Sequence, residues 1–188
     1  MKILSTLILS IIQLLAGIFD NTVAPFFTDE HAIANESFDR IVAAVNAQDS
    51  TALIELFSIT AQSDAASLDE NAILFFDYIN GEVVSFSRAE ESGVSTDSYT
   101  DNGKVRKEIH SFFCVNTEKK EFFLAVKECI QDDFDKSNVG ITSLYIIDAE
   151  DWPHNFEYGG DGLWTPGINI GKGFAPWTAY ENGYSELP

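Results

Sequence analysis

The residue whose setting most suggests chemistry is Glu128. It lies in a long strand-like run, Glu121 to Asp132, that follows a second such run from Val105 to Thr117. A two-residue turn at Lys119-Lys120 sets Ser111 opposite Glu128, Phe113 opposite Val126, Val115 opposite Leu124, Thr117 opposite Phe122 and Ile109 opposite Ile130. That face is apolar except for Ser111 and Glu128, as expected of an antiparallel pair with one side against a core. A carboxylate there is costly to bury unless it is paired or hydrogen-bonded, and its proton affinity rises. Such a group can serve as a general base or a ligand anchor, with Ser111, Phe113 and Val126 as the adjoining wall. At an open sheet edge, or beneath a backbone donor, the same carboxylate needs no function.

The other reactive side chains form no recognisable motif. His31, His110 and His154 fall in three different elements, without HxxxH, HExxH or CxxC spacing, so no metal site is expected. GxSxG and P-loop patterns are absent, and Gly159-Gly160-Asp161-Gly162 leads into no helical pattern, so no cofactor is expected. Acids cluster at Asp132-Asp133-Phe134-Asp135 and at Asp148-Ala149-Glu150-Asp151. Counted as a calcium loop from Asp133, the first run has Asn138 where Gly is required and Leu144 where Glu is required. Solvated turns are expected instead. Cys114 and Cys129 share the second face of the hairpin, four residues apart along the ladder. At the usual strand rise that is on the order of 14 Å, twice the roughly 7 Å limit for a disulfide, so free thiols are expected.

The elements that position these groups follow from periodicity. From about Ala32, residues Ile33, Phe38, Ile41, Val42 and Val45 fall on one helical face. Asp49 and Ser50 supply capping oxygens for a short helix, Thr51 to Phe57. A third helix starts near Ser67, carries Leu68, Ala72, Phe75, Phe76 and Ile79 on one face, and stops at Asn80-Gly81. Strands follow at Glu82 to Arg88, at the two hairpin runs, and at about Gly140 to Asp148, with residues 89–104 a loop or hairpin tips. Three N-terminal helices and then antiparallel strands give an α+β domain over residues 32–151. Residues 152–188 differ, holding seven of the 12 Gly, four of the five Pro and all three Trp. They read as an extension packed on the domain through its aromatics, with short strands hidden in it, or as an aromatic surface for sugar or peptide contact.

Composition and the N-terminus set the compartment. Residues 3–19 carry no charge and follow Lys2, the pattern of a signal peptide or of a short membrane anchor. Residues 20–31 read as a linker. The chain carries 30 acidic and 11 basic residues, a net charge of −19. Clustered cations are lacking, so nucleic acid is not an expected partner. Contact with a membrane is expected only through the N-terminal segment.

The helical phrase IVAAVNAQDSTALIELFS before a run of antiparallel strands resembles the nuclear transport factor 2-like (cystatin-like) cone. More closely, DSTALIELFS, FFDYINGEVVSF, HSFFCVNTEKKEFFLAV, VGITSLYII and GGDGLWTPGINI resemble a family of exported Gram-positive bacterial proteins, domain of unknown function 5104, over roughly residues 32–172. The resemblance implies a curved sheet wrapped around a pocket that the helices close. It also implies export, often as a lipoprotein. Leu15-Ala16-Gly17 has the shape of a lipoprotein cleavage box, but Ile18 stands where the lipid-bearing Cys is required. The resemblance carries no activity.

Three functions are therefore open. One is an exported, extracellular or cell-surface binding or accessory domain without catalysis, taking a small molecule or a cell-envelope component. Another is a small-molecule enzyme with Glu128 as general base. The third is a self-associating protein, a homodimer joined through Phe112, Cys114, Phe123 and Ala125.

Overall fold

A computed structural model describes residues 29–89, 94–151 and 164–171. The expected export segment, most of the expected linker and most of the C-terminal extension lie outside the described residues. Among the described residues four helices come first, at Glu30–Ala47 (α1), Ser50–Ile54 (α2), Ile59–Asp64 (α3) and Leu68–Ile79 (α4). Six strands follow, at Val83–Arg88 (β1), Ser95–Asp101 (β2), Lys104–Thr117 (β3), Glu121–Asp132 (β4), Gly140–Asp148 (β5) and Gly167–Ile170 (β6).

The first three helices each begin where a side chain satisfies a free backbone N–H, whereas Ser67, ahead of α4, makes no such bond. The Asp29 carboxylate accepts from Ala32 N, so α1 starts within the stretch expected to be linker. Asp49 accepts from Ala52 N as the expected cap of α2, which closes after five residues. Ser58 Oγ accepts from Ala61 N and starts α3, a fourth helix that periodicity does not show, because Ala61 is its one buried residue. The expected three helices are thus four. Asn80 ends α4 in the left-handed conformation.

The sheet runs β1-β3-β4-β5-β6, and β2 pairs with the first half of β3, beside β1 on the same edge. The expected all-antiparallel sheet is corrected here to a mixed one, since β6 lies parallel to β5. The connection from Asp148 to Gly167 is long enough to return the chain to the start of β5, as parallel pairing demands. Residues 95–101, expected as loop or hairpin tips, form β2 and turn into β3 through Asn102-Gly103, both at positive φ.

The central hairpin is slipped by two residues from its expected register. Ser111 faces Val126, Phe113 faces Leu124, Val115 faces Phe122 and Ile109 faces Glu128. The cause lies in the turn, where the Thr117 hydroxyl accepts from Lys119 N at 3.2 Å and Lys120 N at 3.0 Å. That widens the connection beyond the two lysines. An even slip leaves every side chain on its expected face. Register shifts at Lys107/Glu108 and Lys127/Glu128 bend the two long strands.

The helices cover one face of the sheet. Phe38 of α1 stacks on Phe113 at 3.7 Å between ring centroids, and Phe86 meets Phe38 edge-on at 4.9 Å. Leu68, Ala72, Phe75, Phe76 and Ile79 of α4 are all buried in the same core. The Asn46 side chain ties α1 to β1, donating to Val83 O and accepting from Val83 N. A second cluster forms on the opposite face, from Ala89, Phe112, Phe123, Ala125, Tyr145 and Ile147, with Cys114 and Trp164 against it. Phe112, Phe123 and Ala125 are buried within the chain, so the surface expected to join two copies is not an exposed one.

Gly140 is fixed by close approach. Ser58 N donates to Ile141 O and Ile141 N donates to Leu56 O, which draws the α2–α3 connection onto β5. A Cβ at Gly140 would sit 2.8 Å from Ser58 N, at a φ of +127°.

Candidate functional site

Glu128, Ser111, Phe113 and Val126 share the helix-covered face of the sheet, as expected. Glu128 does not face Ser111 directly; the two are diagonal neighbours, with Val126 opposite Ser111. Ser111, Phe113 and Val126 are buried, and Phe113 is held by its stack on Phe38. Glu128 lies half-buried beneath α1. Burial raises its carboxyl above the usual range, and Glu36 adds to the rise. A hydrogen bond from the Ser37 hydroxyl and the nearby Arg40 charge oppose it. The expected perturbed carboxyl is therefore present, but its neighbours across the sheet are aliphatic and aromatic. Its hydrogen-bond partner is the Ser37 hydroxyl, with Glu36 and Arg40 nearby on the same helix.

The opposite face of the same hairpin holds a polar cluster that sequence patterning does not isolate. Glu108 accepts from Arg106 at 2.7 Å, and Lys127 Nζ lies 3.2 Å from its other oxygen. Burial raises the Glu108 carboxyl, but those two cations outweigh it and hold the group below the usual range. His110 stacks on Trp164 at 4.7 Å. Its Nε2 is buried without a hydrogen-bond partner and lies 3.8 Å from Asp97. Burial, and then the Lys127 charge, keep the imidazole below its ordinary value, so it is neutral near pH 7. Glu108 spends both oxygens on cations, and Asp97, at 3.8 Å, is beyond hydrogen-bond reach of His110 Nε2. Cys129 donates its thiol to Gln131 O and is pushed up by burial, which makes it a poor nucleophile. Both cysteines are free, as expected.

The acidic run at 132–135 builds its own turn. Asp132, itself buried, accepts from Phe134 N, Asp135 N and Asn138 Nδ2. Asp133 accepts from Val105 N and Lys136, and Asp135 from Ser137 N. The expected solvated turn is thus corrected in one respect: its first carboxylate is inside, spent on backbone and Asn138.

Space for a ligand lies elsewhere. A cleft of about 590 Å³ opens between α4 and β6, within the size range of small-molecule sites. Its walls are Leu74 and Tyr78 on the helix and Pro166, Ile168 and Ile170 on the strand side, with Asn71, Asp77, Thr165 and Asn169 as polar groups. Asn71, Leu74 and Tyr78 recur at helical spacing on a second stripe of α4, beside the core stripe. Leu74 is 53% exposed, whereas Ile168 is 4% exposed. The strand wall is anchored from behind: Ser143 Oγ donates to Trp164 O, and Thr165 N donates to the Tyr145 hydroxyl. Gly167 permits the approach of β6 to α3, since a Cβ there would sit 2.6 Å from Ala65 Cβ. Smaller clefts of about 360 and 310 Å³ flank α1. None of Glu128, Ser111, Phe113 or Val126 lines any of these three clefts.

The sequence signal for the main cleft is modest. Leu74 and Tyr78 are apolar residues four apart that do not belong to the buried face of α4, and β6 is too short to show a period.

Fold and site together define an α+β domain with a mixed six-stranded sheet, an apolar core between helices and sheet and a lateral apolar cleft. A family model described as a domain of unknown function (DUF5104) matches residues 40–149, more than half of the chain, and the chain belongs to that family. The match ends before β6, so one wall of the cleft lies outside it. No curated protein matches the chain.

Proposed function

We propose that this chain is an exported, non-catalytic binding or accessory domain built on a nuclear transport factor 2-like cone. The observation that carries the reading is the packing of Phe38 on Phe113. The interior that a cone enzyme would leave open for substrate is occupied by stacked rings, while room for a ligand exists at the α4–β6 cleft. Helices followed by a sheet bent at two bulges support the cone assignment. The uncharged residues 3–19 after Lys2 support export to the cell surface or beyond.

The competing reading gives Glu128 the part of general base, on the strength of its raised carboxyl. A panel of small metabolites, assayed by thermal shift and by product formation, separates the two. Binding shifts without product, equal in wild type and Glu128→Gln, are expected. Turnover by the wild type that Glu128→Gln abolishes would establish the enzyme instead.

A further inference from the structure

We propose that the α4–β6 cleft binds a small amphiphile with an apolar body and a cationic head, an alkylammonium or a comparable group. This rests on the reading of the chain as a binding domain and names its ligand class. The apolar body is called for by the walls. Leu74 projects half-exposed from α4, with Tyr78 one turn on and Ile168 and Ile170 facing them from β6. A half-exposed Leu beside aliphatic side chains in a cleft gains by being covered.

The cationic head is called for by charge. Among the described residues that line the cleft, Asp77 is the one charged side chain, with no Lys, Arg or His beside it. It enters no ion pair or hydrogen bond among the described residues. The two lysines near that end are engaged elsewhere: Lys119 donates to Asn80 O and Oδ1, and Lys120 pairs with Asp148. An anionic ligand would meet this carboxylate and a chain with 30 acids against 11 bases. A cation meets complementary charge, placed one helical turn from Leu74, so head and body can be satisfied together.

The test is isothermal titration of the full chain with decylammonium, decanol and decanoate below their aggregation concentrations, at low salt. Decylammonium should bind more tightly than decanol, and decanoate least. Leu74→Asp should weaken decanol by about tenfold or more, and decylammonium by a smaller factor because the new carboxylate also attracts the ammonium head. Asp77→Asn should remove only the ammonium advantage, up to about fivefold for an exposed ion pair. Because that change touches one of 30 carboxylates, it separates the cleft from general attraction to an acidic chain. Both positions are exposed, and Leu74→Met, which keeps the apolar wall, should bind as wild type.

Decanoate binding as tightly as decylammonium would overturn the ligand class and leave the binding-domain reading in place. Decanol binding unaffected by Leu74→Asp would overturn the site. Affinity gained on Phe174→Asp with Trp177→Asp would assign the cleft to the chain's own last residues, and dimerisation lost in Leu74→Asp would assign it to a second copy. Either result overturns the small-ligand assignment. Turnover of a substrate at Glu128 would instead defeat the non-catalytic reading, whatever the cleft binds.

Discussion

Replacing Phe113 by Ala tests whether the space between helices and sheet is core or pocket. Phe113 is fully buried, stacked on Phe38 at 3.7 Å and edge-on to Phe86 at 6.0 Å. Truncating a buried Phe to Ala ordinarily costs about 3–5 kcal/mol, from lost transfer energy and from the cavity left behind. Loss of two aromatic contacts places the cost in the upper half of that range, since such pairs add about 0.5–1.5 kcal/mol each beyond burial. A domain of this size has a total stability of roughly 5–15 kcal/mol, so the variant should lose a large part of it. Urea unfolding followed by circular dichroism measures the loss as a fall in midpoint at constant slope. A dry apolar cavity should also appear and accept benzene, which raises the variant's melting temperature and leaves the wild type unchanged. A cost below about 1 kcal/mol, or benzene stabilising the wild type equally, would refute the filled interior.

Three further outcomes follow from the geometry. The Glu128 carboxyl is raised by burial, so between the ordinary carboxylate range and its raised value the folded chain keeps a proton that the unfolded chain has released. Wild-type stability therefore falls as pH rises through that window and stays lowered above it, and Glu128→Gln should gain on the wild type from about pH 4 upward; parallel stability curves would contradict this. Gly140→Ala should cost about 2 kcal/mol or more in chemical denaturation, because the new Cβ meets backbone at 2.8 Å and the φ is positive; an unchanged midpoint would contradict the close approach. Without reductant, a thiol reagent should count both cysteines in denaturant, and in the folded chain it should reach half-buried Cys114 slowly and Cys129 not at all. A count of none in denaturant would show a disulfide.

Much of this fold is legible in the sequence because its apolar strand runs are bounded by polar turn residues. The bounds of β4 and β5 follow directly from the pattern, and the faces of the hairpin survive a wrong register because the slip is even. The slip itself comes from the Thr117 hydroxyl, a local hydrogen-bonding choice that hydrophobic pattern does not record. The β2 strand is exposed throughout and so shows no alternation, although Asn102-Gly103 is a strong hairpin signal. Neither α3 nor β6 is long enough to show a period, so α3 leaves no sign in the pattern and β6 is expected only as an unplaced short strand within residues 152–188. The perturbed carboxyl at Glu128 was legible because one charge on an apolar face is conspicuous. The cleft was not, because Leu74 and Ile168 are brought together by tertiary packing across nearly the whole domain.

The most direct test of the account is amide NMR mapping of decylammonium on the full chain. The largest shift changes should cluster at Leu74, Asp77, Tyr78 and Ile168, with Ser111, Phe113, Val126 and Glu128 unmoved. Changes centred on Glu128 and its neighbours, with the α4–β6 cleft silent, would contradict it.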